Sequence, residues 1–159
     1  NTLGKNFQNE LSLANTKARI RMTALYQIAG SKNGLVVGTG NKIEDFCIGF
    51  FTKHGDGGVD LSPIGDLFKS EVFFLAQELN IIKSIQTAKP TDGLWGDNRT
   101  DEEQIGATYL EIENAIKHIN TKKINLNKRE KEVVKIYLQL KKINAHKMKP
   151  IPVCYIPKK

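Results

Sequence analysis

The sequence predicts an α/β fold in which helices flank a buried parallel sheet. Three observations carry that expectation. Apolar residues recur at spacings of three and four through several segments, which is the period of one helix face. Leu35-Val36-Val37 is a short apolar, β-branched run, as suits a parallel strand covered on both faces. Gly38-Thr39-Gly40 follows it directly, beyond the carboxyl end of the strand, where open α/β sheets bind ligands.

The elements follow in order. Glu10 to Ala29 reads as a helix with Leu11, Ala14, Ala18, Met22, Leu25 and Ala29 on its inner face and Gly30 as its stop. After the strand, Lys42 to Phe51 reads as a short helix, and Thr52 to Pro63 as a loop around His54-Gly55-Asp56-Gly57-Gly58. Lys69 to Leu79 is a helix turning Val72, Leu75, Ala76 and Leu79 inward. Thr87 to Arg99 is a second loop, centred on Lys89-Pro90-Thr91-Asp92-Gly93. Thr100-Asp101-Glu102-Glu103 is a capping box, whose hydroxyl and carboxylate satisfy free amides reciprocally. The helix it opens is expected to run unbroken to about Ile119 through Ile105, Tyr109, Ile112 and Ile116. Asn127 with Glu130 caps a last helix carrying Val133, Tyr137, Leu140 and Ile143 inward. The prolines of the tail from Pro150 to Pro157 keep it extended. A lone parallel strand cannot satisfy its own backbone groups. Further strands are therefore expected upstream of Asn1, and a chain that starts without methionine reads as N-terminally incomplete.

Composition bounds the function. The chain has 159 residues, 40% of them apolar, which fits one domain over 1–159 with a real core. It carries no apolar run of the roughly 20 residues a membrane span needs, and Asn1 to Phe7 lack a signal pattern. Cys47 and Cys154 stand in no metal or redox spacing, so a cytoplasmic setting is expected. The net charge of +7 is uneven: residues 117–159 carry +11 and the remainder −4. Such a basic stretch suits either a polyanionic partner or a solvated helix face, and the solvated face is the simpler account.

The residues themselves point to nucleotide binding without naming a reaction. Thr39 is placed to bond a ligand at the strand end. Glu44, five residues on, is placed to hold Mg²⁺, which takes one or two carboxylates plus phosphate oxygens. Gly55 to Gly58 offer backbone amides to an anion. Lys69 sits at a helix start, where a cation opposes the dipole, and a bound phosphate would relieve that conflict. Trp95, in a polar loop, either stacks on a base or covers an edge, and Cys47 is expected to be packed rather than reactive.

Two strings carry a resemblance. Gly38-Thr39-Gly40-Asn41-Lys42-Ile43-Glu44 is followed by Gly49-Phe50-Phe51-Thr52-Lys53-His54-Gly55-Asp56-Gly57-Gly58-Val59-Asp60. With Lys17 to Met22, Leu61 to Lys69, Lys89-Pro90-Thr91, Asp101 to Tyr109 and His146-Lys147, they run in the order and approximate spacing of bacterial NAD synthetases. The chain resembles that family, in its ammonia-dependent form, from Leu11 to about Pro150. One extra residue lies between Glu44 and Gly49 relative to the commonest version, which leaves the placement of Asp45 to Ile48 open. The family's phosphate loop, a Ser-Gly-Gly-x-Asp-Ser pattern, has no counterpart here. The chain thus reads as the C-terminal part of a Rossmann-like, ATP-pyrophosphatase domain, and is expected to be inactive alone.

The resemblance implies a set of roles. Thr39, Lys69 and Thr91 would contact ATP, Glu44 would ligate Mg²⁺, and Arg19, Lys53, Asp60, His146 and Lys147 would contact deamido-NAD. It implies a homodimer that uses ATP to amidate deamido-NAD with ammonia through an adenylate, with neither nucleic acid nor membrane as partner. The rival readings are another ATP-pyrophosphatase with a different acceptor, and a basic nucleic-acid-binding module.

Overall fold

A computed structural model describes Gly4, Phe7 and residues 9–157. Lys158 and Lys159 of the basic stretch, and the starting Asn1, lie outside the described residues. The order of elements is α1 (Glu10–Ser31), a π-helix (Lys42–Ile48), α2 (Lys69–Glu78), α3 (Lys83–Gln86), α4 (Asp101–Ile105), α5 (Tyr109–Asn120), α6 (Lys128–Ile143) and α7 (Ala145–Met148).

The expected parallel sheet is not formed among the described residues. What is present is one isolated parallel bridge, Val37 with Leu61. Gly38 N–H donates to the Leu61 carbonyl at 2.7 Å and Asp60 N–H to that of Val36 at 2.9 Å. Burial differs between the two faces of this run among the described residues. Val36 is 5% exposed while Leu35 is 66% and Val37 53% exposed. Successive side chains of an extended run face opposite ways, and only the Val36 side is covered.

Helix ends follow local chemistry. Asn9 caps α1 by accepting from Ser12 N–H at 2.8 Å. Of the inner face expected for α1, Ala14 and Ala18 are buried, whereas Leu11 and Leu25 stay more than half exposed. The Thr100 box forms as expected, yet the single helix from Thr100 to Ile119 is broken in two. Gly106 adopts φ +82 and closes α4, and Thr108 then opens α5 with its own capping box to Glu111. Only glycine enters that left-handed region without strain. Asn127 and Glu130 cap α6 reciprocally.

The core sits between the π-helix, α5 and α6. It comprises Ile43, Ile48, Ile105, Ala107, Tyr109, Ile112, Ala115, Val133 and Tyr137, with Cys47 packed against it. Ile143, expected inward, is 60% exposed at the end of α6. No residue of α2 is buried, so its expected inner face is uncovered among the described residues.

Between Glu44 and Gly49 the chain is π-helical. Gly49 N–H reaches back five residues to the Glu44 carbonyl, a wider turn than the four-residue step of an α-helix. π-turns are frequent at functional sites.

Candidate functional site

The π-helix begins after Gly38-Thr39-Gly40 and its cap Asn41, so its first turn follows closely on the extended run bridged at Val37 and Leu61. Asn41 caps it, accepting from Ile43 N–H at 2.9 Å and Glu44 N–H at 3.2 Å. Glu44 Oε2 in turn accepts from Asn41 N–H at 3.3 Å. Its other oxygen, Oε1, accepts from Lys69 Nζ at 3.2 Å and from the Tyr109 hydroxyl at 2.5 Å. The Glu44 and Lys69 side chains are only 14% and 20% exposed. The Lys69 ammonium also lies 4.7 Å from the centre of the Tyr109 ring. The same hydroxyl contacts Asp101 Oδ2 at 3.3 Å. Asp101 Oδ1 is buried with no partner. Burial, then the charge of Glu44, raises the Asp101 carboxyl above its ordinary value.

The start of α2 already meets two protein carboxylates. Glu113 of α5, 2% exposed, accepts from Ser70 N–H at 3.1 Å and from its hydroxyl at 2.7 Å. Phe68 N–H is taken by Glu71 at 2.7 Å. The Lys69 ammonium meets Glu44.

A second group gathers around the turn after the π-helix. Lys147 Nζ donates to the carbonyls of Gly49 at 2.9 Å and Phe51 at 2.7 Å. Burial lowers its pKa. Lys53 Nζ donates to the His146 carbonyl at 2.9 Å, and Arg19 Nε donates to the Lys53 carbonyl at 3.2 Å. Asn144 Nδ2 donates to the Ile48 carbonyl at 2.9 Å. The glycine loop itself is not an open anion cradle. Gly55 and Gly57 amides both turn to the Thr52 carbonyl, at 2.9 and 3.4 Å.

The remaining sequence candidates lie apart from these groups or at their rim. Asp60 holds the extended run: its carboxylate accepts from Val36 N–H at 2.7 Å and the Tyr26 hydroxyl at 3.1 Å. Thr39 and Thr91 are exposed. The Thr91 loop is tied to α1 by Arg21, which donates to the Asp92 and Gly93 carbonyls, each at 3.2 Å, and by Lys17 to the Leu94 carbonyl at 2.9 Å. Trp95 donates to Asp92 Oδ2 at 3.1 Å, and the Arg99 guanidinium stacks 4.3 Å over its ring.

Tyr109, Asp101, Glu113 and Arg21 were not singled out from sequence. A tyrosine on a buried helix face was the available signal for the first, because its hydroxyl must find a partner. Asp45 is a further carboxyl here, pushed up to about 6 by burial and then by Glu44 and Asp56.

The NAD synthase family model matches residues 2–151. The chain belongs to that family. It is 42% identical over 148 residues to the NH(3)-dependent NAD(+) synthetase of Archaeoglobus fulgidus, covering 93% of this chain and 58% of the relative. It is 41% identical over 150 residues to that of Syntrophomonas wolfei, with 94% and 56% covered. Among solved structures, the NMN synthetase of Francisella tularensis superposes with a TM-score of 0.82 at 32% identity, covering 96% of this chain and 60% of that one. The NH3-dependent NAD synthetase of Campylobacter jejuni gives a TM-score of 0.67 at 29% identity, over 93% and 57%. The chain spans somewhat more than half the length of each relative. Its fold is similar to that of the parts it matches, although those likenesses do not supply a sheet among the described residues. No helix among the described residues is long and apolar enough to cross a membrane.

Proposed function

We propose that this chain forms the metal-and-ATP and dinucleotide-binding part of an enzyme that amidates deamido-NAD with ammonia at the expense of ATP. The observation that carries this reading is the largely buried Glu44–Lys69 pair at 3.2 Å, just past the extended run at Val37 in a chain of the NAD synthase family.

The residues fit a Mg²⁺–ATP ligand. Glu44 offers a hard oxygen donor, and Asp101 Oδ1 nearby lacks a partner. No cluster of three or more metal-ligating side chains occurs among the described residues, which suits Mg²⁺ held by one carboxylate plus phosphate oxygens. When bound there, Mg²⁺ would neutralise phosphate charge. Lys69 would turn from Glu44 to a phosphate, and Thr39 and Thr91 are the further ATP contacts that the resemblance implies. Lys53, Arg19, His146 and Lys147 form a basic group for the deamido-NAD, to which the resemblance adds Asp60.

The chemistry asks for positioning and charge neutralisation, not a protein nucleophile. A nicotinate oxygen bonds to the α-phosphorus of ATP as the bond to pyrophosphate breaks. The nitrogen of ammonia then attacks the acyl carbon, AMP leaves, and one proton is lost to water. NAD, AMP and pyrophosphate result. The exposed sides of Leu35 and Val37 suit the rim of a larger parallel sheet. Exposed Ile20, Leu25 and Ile28 on α1 suit the homodimer implied by the resemblance.

The likeness to an NMN synthetase supports a second acceptor, deamido-NMN. The test is pyrophosphate and product formation by the full-length protein with ATP, Mg²⁺ and ammonium, comparing deamido-NAD with deamido-NMN. Preferred turnover of deamido-NAD is expected. Preference for the mononucleotide would change the acceptor, and no acceptor-dependent pyrophosphate release would overturn the reading.

A further inference from the structure

Tyr109 touches both members of the Glu44–Lys69 pair by different chemistry. Its hydroxyl donates to Glu44 Oε1 at 2.5 Å, and its ring lies under the Lys69 ammonium at 4.7 Å. Its backbone is fixed independently of that pair. Tyr109 N–H donates to Glu102 Oε1 at 2.9 Å, and Thr108 caps the helix it begins. The tyrosine is therefore a fixed platform, 5% exposed.

A nucleotide poses a problem for the pair. The two charges satisfy each other. Drawing Lys69 to a phosphate and Glu44 to a cation separates two side chains already taken largely out of water. An uncompensated buried charge is costly. Tyr109 covers both ends of that separation: an aromatic face attracts an ammonium, and a hydroxyl donates to a carboxylate. The phenol has one proton to give. Asp101 Oδ2, 3.3 Å away, is a second acceptor for it, on a carboxyl whose other oxygen has no partner.

We propose that Tyr109 is a positioning residue for the nucleotide: its hydroxyl holds Glu44 for the cation, passing its hydrogen bond to Asp101 when Glu44 turns, while its ring gives Lys69 a second seat. The inference rests on reading Glu44 and Lys69 as metal and ATP ligands.

The test is calorimetric ATP binding by the full-length protein across a Mg²⁺ series, for wild type and Tyr109→Phe, Tyr109→Leu, Glu44→Gln and Lys69→Ala. Tyr109→Phe keeps the ring and loses one hydrogen bond. It is expected to raise the Mg²⁺ needed for half-saturation about three- to tenfold, while ATP affinity without Mg²⁺ changes less than about twofold. A purely structural role would not split the two. Tyr109→Leu is expected to weaken Mg²⁺-free ATP binding as well. Impaired Glu44→Gln and Lys69→Ala beside a Tyr109→Phe with wild-type Mg²⁺ dependence would overturn the inference alone. Wild-type binding by all the variants would overturn the functional reading too. If Tyr109→Phe does not fold, the Mg²⁺ series is read with 4-fluorophenylalanine at position 109, which fills more of the tyrosine's space but cannot donate; the same rise in Mg²⁺ requirement supports the role and a wild-type curve overturns it.

Discussion

Lys53 and His146, 93 residues apart in sequence, are joined by one hydrogen bond of 2.9 Å from the lysine ammonium to the histidine carbonyl. The bond ties the glycine loop to α7. Four of the five residues that the resemblance assigns to deamido-NAD take part in this group, and Asp60 stands apart.

Lys53→Ala is therefore expected to weaken deamido-NAD binding about ten- to a hundredfold, from the loss of a charged hydrogen bond of about 1.5–3 kcal/mol. ATP affinity should hold, because Glu44 and Lys69 lie in the other group. Separate calorimetric titrations of the two ligands check this. A fall in ATP affinity with dinucleotide binding intact would show that the groups are assigned the wrong way round.

The Thr91 loop owes its position to α1. Arg21→Ala removes its donors to the Asp92 and Gly93 carbonyls. Limited chymotrypsin digestion should then cut at Leu94 or Trp95 several-fold faster, and ATP binding should weaken by a few-fold. Equal digestion rates would show that the loop holds its place without the clamp.

Acid stability has a named source. Arg129 Nε and Nη2 meet the Glu111 carboxylate at 2.8 and 2.9 Å across α5 and α6. The arginine, then the Thr108 backbone amide, hold the Glu111 carboxyl down to about 2. A depressed carboxyl contributes stability that is fully present above its unfolded value of about 4.3 and is lost as pH falls from there toward about 2. Solvent screening limits a surface pair to roughly 0.2–1 kcal/mol. Glu111→Gln should lower the melting temperature by about 1–4 °C at pH 7, with the difference closing near pH 2. An undiminished difference at low pH would contradict the assignment.

The turn after the π-helix should tolerate no side chain at Gly49. Its φ is +64 and an added Cβ would stand 2.6 Å from Asn144 Cβ. Gly49→Ala is expected to cost about 1–3 kcal/mol, read as a lower denaturation midpoint. An unchanged midpoint would mean that α7 yields easily, against the Lys147 and Asn144 contacts described.

How much of this was legible in the sequence depended on range. Caps were legible, because Thr100 with Glu103 and Asn127 with Glu130 speak to amides three residues away. The break at Gly106 was legible as well, and was missed because Ile105, Tyr109 and Ile112 keep helical spacing across it; Thr108 with Glu111 is a second capping box in plain view. The π-turn over Lys42–Ile48 was not legible. At the start of α2 the Ser70 amide is taken by Glu113, 43 residues further on. Nothing local in either segment announces such a long-range partner. The bond from Val36 N–H to Asp60 was likewise out of reach of a local reading. Leu35 and Val37 were expected to be covered by strands that the described residues do not contain.

The central claim is that Glu44 receives Mg²⁺ together with ATP phosphates opposite Lys69. The measurement that tests it most directly is the Mg²⁺ titration of pyrophosphate release by the full-length protein carrying Glu44→Gln, an isosteric change that removes the charge. The account predicts a Mg²⁺ requirement raised by about tenfold or more. A titration curve that superposes on the wild-type curve would contradict it.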